Sequence, residues 1–306
     1  MIDDAAGVQQ ALGVAPNEAG LARRERLRHL ARSKPFLIGS AIVAFWIVWT
    51  IAGARLTPQD PYAISDQILR PPSGSHWFGT DGLGRDVFAR VLAGGTSMLT
   101  VAPAATLLGV LAGTLIGLLV GFVGGTVDDV VGRVIDAVLA LPLLVSAVLV
   151  IAAVGSRFHL SAYNDATTAR NTQILVIAAI FTPAVTRTVR AAVLVERNLD
   201  YVDSARLIGE RTSAIVTLEI LPNVFGPILV EATVRLGYAM FAVASLRFLG
   251  FGAQPPSPDW ALQVRENYQL LPGEVWWPTL FAALAIATLV IGVNLIADGL
   301  VDVLAG

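Results

Sequence analysis

Residues 91–127 read VLAGGTSMLTVAPAATLLGVLAGTLIGLLVGFVGGTV, without one Asp, Glu, Lys or Arg. Crossing the hydrocarbon core of a bilayer takes about 20 mainly apolar helical residues. The run is longer than one span needs, so the second span is placed at about 98–123. Working outward, Pro35–Ala54 is also free of charge and makes the first span. Further apolar runs place the third at about 134–154, the fourth at about 173–191, the fifth at about 226–250 and the sixth at about 278–300. Pro183 is expected to bend the fourth or to mark a packing break in it. In lipid the backbone must satisfy its own hydrogen bonds, which helices do. The expected fold class is therefore all-α: a polytopic membrane protein with six transmembrane helices.

Composition agrees. Of 306 residues 55% are hydrophobic and 14% charged, against roughly 25% charged in soluble domains; mean hydropathy is +0.68. A net charge of −2 offers no general attraction to nucleic acid, and zero cysteines exclude disulfides and thiolate metal sites. Lys34 is the only lysine; the remaining basic residues are arginine.

Six spans put both termini on one side, and basic residues near the span ends choose the side. Arg23, Arg24, Arg26, Arg28, Arg32 and Lys34 precede the first span; Arg133 lies between the second and third; Arg187, Arg190, Arg197, Arg206 and Arg211 lie between the fourth and fifth. The opposite side carries Arg55, Arg70, Arg85, Arg90, Arg157, Arg170 and Arg265, spread over longer loops. The bias puts both termini and the 198–222 loop in the cytosol. A signal peptide cut at Ala52-Gly53-Ala54 is the competing reading, but its apolar core exceeds the usual 7–15 residues or so. Residues 1–34 read as a cytosolic tail, disordered in part, because the first twenty are small or polar and lack periodicity.

Within the spans, Gly109, Gly113, Gly117, Gly121 and Gly125 recur at every fourth position. Such a stripe lets another backbone approach closely, either inside the chain's own bundle or across a contact with a second membrane subunit. Glu231 and Arg235 lie one helical turn apart in the fifth span. They form an internal pair, or they touch a pore or gate. Asn294, Asp298 and Asp302 share a face at the end of the sixth span. Trp46, Trp49, Trp260, Trp276 and Trp277 suit a membrane–water belt, and Pro255-Pro256-Ser257-Pro258 stiffens the last outer loop.

Two polar segments stand out. Asp200-Tyr201-Val202-Asp203-Ser204-Ala205-Arg206-Leu207-Ile208-Gly209-Glu210 places Tyr201, Ala205 and Ile208 on one helical face. Gly209 supplies a left-handed stop, a second short helix starts near the N-cap Ser213, and Pro222-Asn223 closes the segment. The pattern is a knob projecting into water. In the first outer loop, His76-Trp77-Phe78-Gly79-Thr80-Asp81-Gly82-Leu83-Gly84-Arg85-Asp86-Val87-Phe88-Ala89-Arg90 reads as an aromatic anchor, a glycine turn and an amphipathic helix on the membrane surface. Asp86 and Arg90 are spaced as an i, i+4 pair.

The knob resembles the Glu-Ala-Ala coupling loop of ABC importer permeases. Asp203 stands where Glu is usual and Ser204 replaces the first Ala, while Gly209 and Pro222 keep the spacing. The outer string is similar to the His-Trp-Phe-Gly-Thr-Asp-x-x-Gly-Arg-Asp signature of the C-type subunit in the dipeptide, oligopeptide and nickel branch. The resemblance runs from about residue 35 to the end and implies a type I permease fold over 35–306. It implies a coupling loop at about 198–222 in which Tyr201, Asp203, Ser204, Ala205, Arg206, Leu207, Gly209 and Glu210 meet an ATPase. It further implies a homologous B-type permease, two cytosolic ABC ATPase domains, an extracytoplasmic peptide-binding protein and surrounding membrane lipid as partners, in the bacterial cytoplasmic membrane. ATP and Mg would be bound by the ATPases and no cofactor by this chain. Peptide is the implied cargo, with nickel or glutathione as alternatives.

The residues themselves argue against chemistry in this chain. There is no G-x-x-x-x-G-K-[ST] phosphate loop, no H-E-x-x-H and no G-x-S-x-G elbow. His29, His76 and His159 all fall outside the spans, where an intramembrane serine protease would need one facing a buried serine. An ion-coupled carrier would leave the knob unexplained. No catalytic and no metal-binding residue is therefore expected.

Overall fold

A computed structural model describes residues 29–30, 32–157 and 166–305. The expected tail at 1–34 lies almost wholly outside the described residues, as does His159. Among the described residues there is no named strand, only an isolated bridge between Thr80 and Asp86.

The helices are α1 (Lys34–Leu56), α2 (Val87–Ala93), α3 (Thr96–Val123), α4 (Gly125–Leu139), α5 (Leu143–Arg157) and α6 (Ala166–Glu196). Then come α7 (Asp200–Leu207), a turn at Thr212–Ala214, a π-helical segment Ile215–Ile220, and α8 (Leu221–Phe248). Last are α9 (Trp260–Asn267), a 3-10 segment Tyr268–Gly273, and α10 (Trp277–Ala305). Among the described residues, five helical stretches are long and apolar enough to cross a membrane, and six if α4 and α5 are counted as one broken span.

That break corrects the third span. Instead of one helix over 134–154, α4 and α5 meet at 93°. Pro142 has no N–H to continue α4 and disfavours helix at Leu141; its carbonyl instead accepts from Ser146 N at 3.0 Å as α5 begins. α4 turns its acids toward α6: Arg190 forms an ion pair with Asp128, and Arg187 one with Asp136 at 3.6 Å. Pro183, expected to bend or interrupt the fourth span, lies inside the single helix α6.

α3 lies along α6, and the glycine stripe is the reason it can. A Cβ on Gly109 would sit 3.0 Å from the Ala178 carbonyl oxygen. On Gly113, Gly117 and Gly121 it would meet the Cβ atoms of Val185, Val189 and Val193 at 2.5, 2.8 and 2.9 Å. Of the two readings of the stripe, this geometry is contact inside the chain's own bundle. Gly125 is not part of it: Gly124 and Gly125 have φ of +67° and +59°, which ends α3 and redirects the chain into α4.

The bundle has two unlike ends. Trp46, Met98, Phe181, Leu246, Trp260, Trp277 and Leu289 belong to one apolar core, toward the His76–Arg90 segment. Val185, Val189, Val193, Val202, Ile215, Ile220 and Val224 form the other, toward α7. We call these the signature end and the knob end. Ser33 and Phe36 pack on Gly299, so the start of α1 and the end of α10 lie together. The tryptophan belt is mostly not a belt. Trp46, Trp260 and Trp277 are 8%, 0% and 7% exposed. Their indole N–H groups donate to Thr288 Oγ1 at 3.1 Å, the Val91 carbonyl at 2.5 Å and the Thr80 carbonyl at 3.0 Å. Trp276 alone of the last pair is open, at 45%.

Candidate functional site

α7 is a short helix held from below. Asp200 and Asp203 lie in its first turn and Arg206 in its last, the placement that suits the helix dipole. Val202 and Ala205 are buried and share a core with Ile215, Ile220 and Val224. This corrects the expected face: Tyr201 is half-buried, and Ile208 is 76% exposed rather than packed. Tyr201 instead anchors through its hydroxyl, which donates to Glu196 Oε2 at 2.8 Å and accepts from Asn223 Nδ2 at 3.1 Å. Burial, and next the hydrogen bond to Glu196, push its phenol above the usual tyrosine range.

The helix ends as its glycine dictates. Gly209 has φ +80°. Glu210 N donates to the Ala205 carbonyl and Gly209 N to the Arg206 carbonyl, each at 3.1 Å. That pair of bonds is the Schellman closure, which calls for a left-handed residue where Gly209 stands. Leu207 is left 88% exposed beside Ile208, so the knob ends in an apolar tip. Ser204 Oγ bonds back to the Asp200 carbonyl at 2.8 Å, and Asp203 pairs with Arg206 at 3.0 Å. The guanidinium of Arg206 also lies 5.5 Å from the Phe122 ring. Arg197 donates to the carbonyls of Gly121 and Phe122 at 3.0 and 3.1 Å, joining the base of the knob to the end of α3. The second short helix starts one residue before Ser213, with Arg211 in the N-cap position and no side-chain cap, and passes directly into the π-helical segment.

In the spans, Arg235 Nε meets Glu231 Oε1 at 2.6 Å, and Thr188 Oγ1 donates to Glu231 Oε2 at 3.4 Å. The guanidinium lies 5.8 Å from the Phe181 ring and 5.6 Å from that of Tyr238. The pair is thus neutralised and cushioned. Asn294 stands apart from it, against Gly237, in a groove of about 390 Å³ shared with Tyr238, Phe241 and Asp298.

The signature end holds a buried ion network. The expected Asp86–Arg90 pair does not form. Asp86 Oδ1 caps α2 by accepting from Ala89 N at 2.8 Å, and its Oδ2 bonds His76 Nδ1 at 2.8 Å. Arg90, 0% exposed, reaches Glu266 at 3.3 Å and the carbonyls of Pro256 and Ser257 at 3.4 and 3.1 Å. Arg85 bonds Asp81 and Glu266, both at 2.7 Å. α2 is therefore no surface helix: Val87 and Val91 are 1% and 2% exposed. Phe78 stacks on Phe281 at 3.8 Å, while Trp77 stays 60% exposed.

Glu266, Arg247, Asp259 and Gln173 did not stand out in the sequence. Arg247 bonds Ser97 Oγ at 2.6 Å, Asp259 Oδ2 at 3.0 Å and Gln173 Oε1 at 3.0 Å. A signal existed for Arg247: it falls within the fifth apolar run, and an ionisable residue there asks for a partner. Glu266 had no such signal, being one acid in a polar loop.

Comparison with known proteins agrees with this architecture. Residues 113–305 match the family described as binding-protein-dependent transport system inner membrane component. A putative peptide transport system permease protein of Brucella suis is 35% identical over 284 residues, 90% of this chain and 89% of the relative. The glutathione transport system permease protein GsiD of Salmonella typhimurium is 36% identical over 297 residues, 95% and 92% of the two chains. The dipeptide transport system permease protein DppC of Alkalihalophilus pseudofirmus is 32% identical over 283 residues, 92% and 88%. With its helices, its knob and this match over most of its length, the chain belongs to the binding-protein-dependent transport system inner membrane component family, as a permease subunit.

Proposed function

We propose that this chain is one of two homologous permease subunits in a bacterial ABC importer that carries short peptides across the cytoplasmic membrane. The observation that carries the reading is the α7 knob: a helix locked by its own closure, rooted in the bundle and ending in exposed Leu207 and Ile208. An apolar tip in water is costly unless a partner covers it, and a cytosolic ATPase is the partner that coupling requires. Its Tyr201, Asp203, Ser204, Ala205, Arg206, Leu207, Gly209 and Glu210 are the coupling residues. Both termini and the knob face the cytosol; the signature end faces outward, toward a peptide-binding protein. ATP and Mg act in the ATPases, and the permease does no covalent chemistry.

ATPase closure would move the two knobs, and Arg197 and Arg206 would pass the movement to α3. The neutral Glu231–Arg235 pair and Asn294 contribute to the gate or pore. Glutathione remains a second reading, favoured by the GsiD relative. Uptake of labelled di- to oligopeptides, glutathione and nickel chelates into proteoliposomes holding the whole complex decides between them. We expect ATP-dependent peptide uptake. If glutathione or nickel chelate enters and a range of peptides does not, the peptide assignment fails.

A further inference from the structure

At the signature end, α1, α3, α6 and α8 enclose a cavity of about 390 Å³ together with the loop before α9, within the range of about 300–1,000 Å³ typical of small-molecule sites. Its wall is polar. Thr50, Ser97, Thr100, Arg170, Arg247 and Asp259 all line it. The charges do not cancel: Asp259 is taken by Arg247 at 3.0 Å, while exposed Arg170 has no ionic partner among the described residues. One positive charge is therefore left to the cavity.

Arg247 itself belongs to the structure rather than to the open space. Arg247 is 4% exposed, and its buried Nε has no hydrogen-bond partner among the described residues. The buried Oγ1 of Thr50 has none either. Both atoms are sealed behind the wall, so what the cavity presents to a ligand is the exposed Arg170 cation with the hydroxyls of Ser97 and Thr100. Cationic arginines with hydroxyl donors suit a carboxylate, which accepts charge-assisted hydrogen bonds. The glycine on the cavity wall is crowded rather than spare: a Cβ on Gly94 would meet the Trp260 ring at 2.5 Å. The cavity is thus set by close packing.

We propose that this cavity receives the C-terminal carboxylate of the peptide as it enters the permease from the outer side. The proposal rests on the peptide-import reading. Arg170 meets the carboxylate, and the hydroxyls of Ser97 and Thr100 on the wall complete the hold. Arg247 keeps its structural bonds throughout.

The chain has no cysteine, so Thr100→Cys places its only thiol on the cavity wall. The assembled complex, without binding protein, is labelled with anionic and cationic methanethiosulfonates, each rate divided by that with a free thiol in solution. We expect the anionic reagent to be favoured roughly tenfold, a size in keeping with one nearby uncompensated charge. The preference should fall to parity when Arg170→Gln is added. A millimolar dipeptide with a free C-terminus should slow labelling, while its C-terminal amide should not. Equal rates for both reagents, equal protection by acid and amide, or a thiol sealed from both reagents by another subunit would each overturn the proposal. Peptide uptake by the wild-type complex is measured alongside. Its failure sinks the import reading, whereas uptake with unbiased labelling sinks only this site.

Discussion

At the signature end Asp81, Arg85, Arg90, Arg247 and Asp259 are between 0% and 4% exposed. At the knob end the side chains of Asp203 and Arg206 are 60% and 44% exposed, and those of Asp136 and Arg187 68% and 64%. The same residue types make ion pairs at both ends, yet with opposite consequences. A buried charge is tolerated only with its partners in place, so removing one member is costly. A solvated pair contributes about 0–1 kcal/mol and leaves its helix free to respond to a neighbour. One end of the bundle is a clamp between two loops far apart in sequence. The other is a helix rooted through its apolar underside, with solvated ion pairs and an apolar tip.

The hardest test of this contrast is Asp81→Ala. Asp81 accepts from Arg85 Nε at 2.7 Å and from the Leu83 and Arg85 amides at 2.9 and 3.0 Å. Asp81 also lies 3.6 Å from Arg90 Nε, so its loss leaves Glu266 as the one carboxylate paired with Arg85 and Arg90 among the described residues. We expect about 3–5 kcal/mol of destabilisation, read as a lower melting temperature in detergent, whereas Arg206→Ala should change stability by no more than about 1 kcal/mol. Equal melting temperatures for the two variants would abolish the distinction between the ends.

A smaller effect is expected midway between the ends. Gly117→Leu drives a side chain toward Val189, where even a Cβ would come within 2.8 Å. Overpacking of this kind costs about 1–3 kcal/mol. Because the contact is internal to the chain, an isolated permease subunit should lose stability as much as the whole complex. A loss seen only in the complex would move the stripe to the subunit interface.

A stability change smaller than that of Gly117→Leu is expected at Gly209→Val. A Cβ there meets nothing within 4 Å, so only the left-handed backbone resists, at about 1–2 kcal/mol. The proposed coupling role makes the functional effect larger: transport and ATPase docking should drop while membrane insertion is retained. Normal transport-coupled ATP hydrolysis in this variant would remove the knob from the mechanism.

How legible each end was in the sequence follows from the same contrast. The knob was readable because its shape is local. Asp200 to Glu210 closes through bonds spanning five residues or fewer, and Gly209 announces the turn. Only its buried face was misread, since Val202 rather than Ile208 meets Ile215 and Val224, which lie on elements folded back against it. The signature segment was conspicuous as a string but opaque as a structure. Spacing alone joined Asp86 to Arg90, whereas Arg90 is bound to Glu266, 176 residues away.

The sequence by itself determined that this is a helical membrane protein, where its apolar runs lie and that a glycine ends the knob. The first two follow because a bilayer forces backbone groups to bond within each helix, and the third because a left-handed residue is set by local sterics. Only the tertiary structure decided that Pro142 splits the third run, that Trp46, Trp260 and Trp277 are buried with their N–H groups bonded, and that Arg247 closes on Asp259, Gln173 and Ser97 beside a polar cavity. These depend on which helices become neighbours. Once six segments are comparably apolar, hydropathy no longer distinguishes their partners; close packing and the need to satisfy each buried charge do.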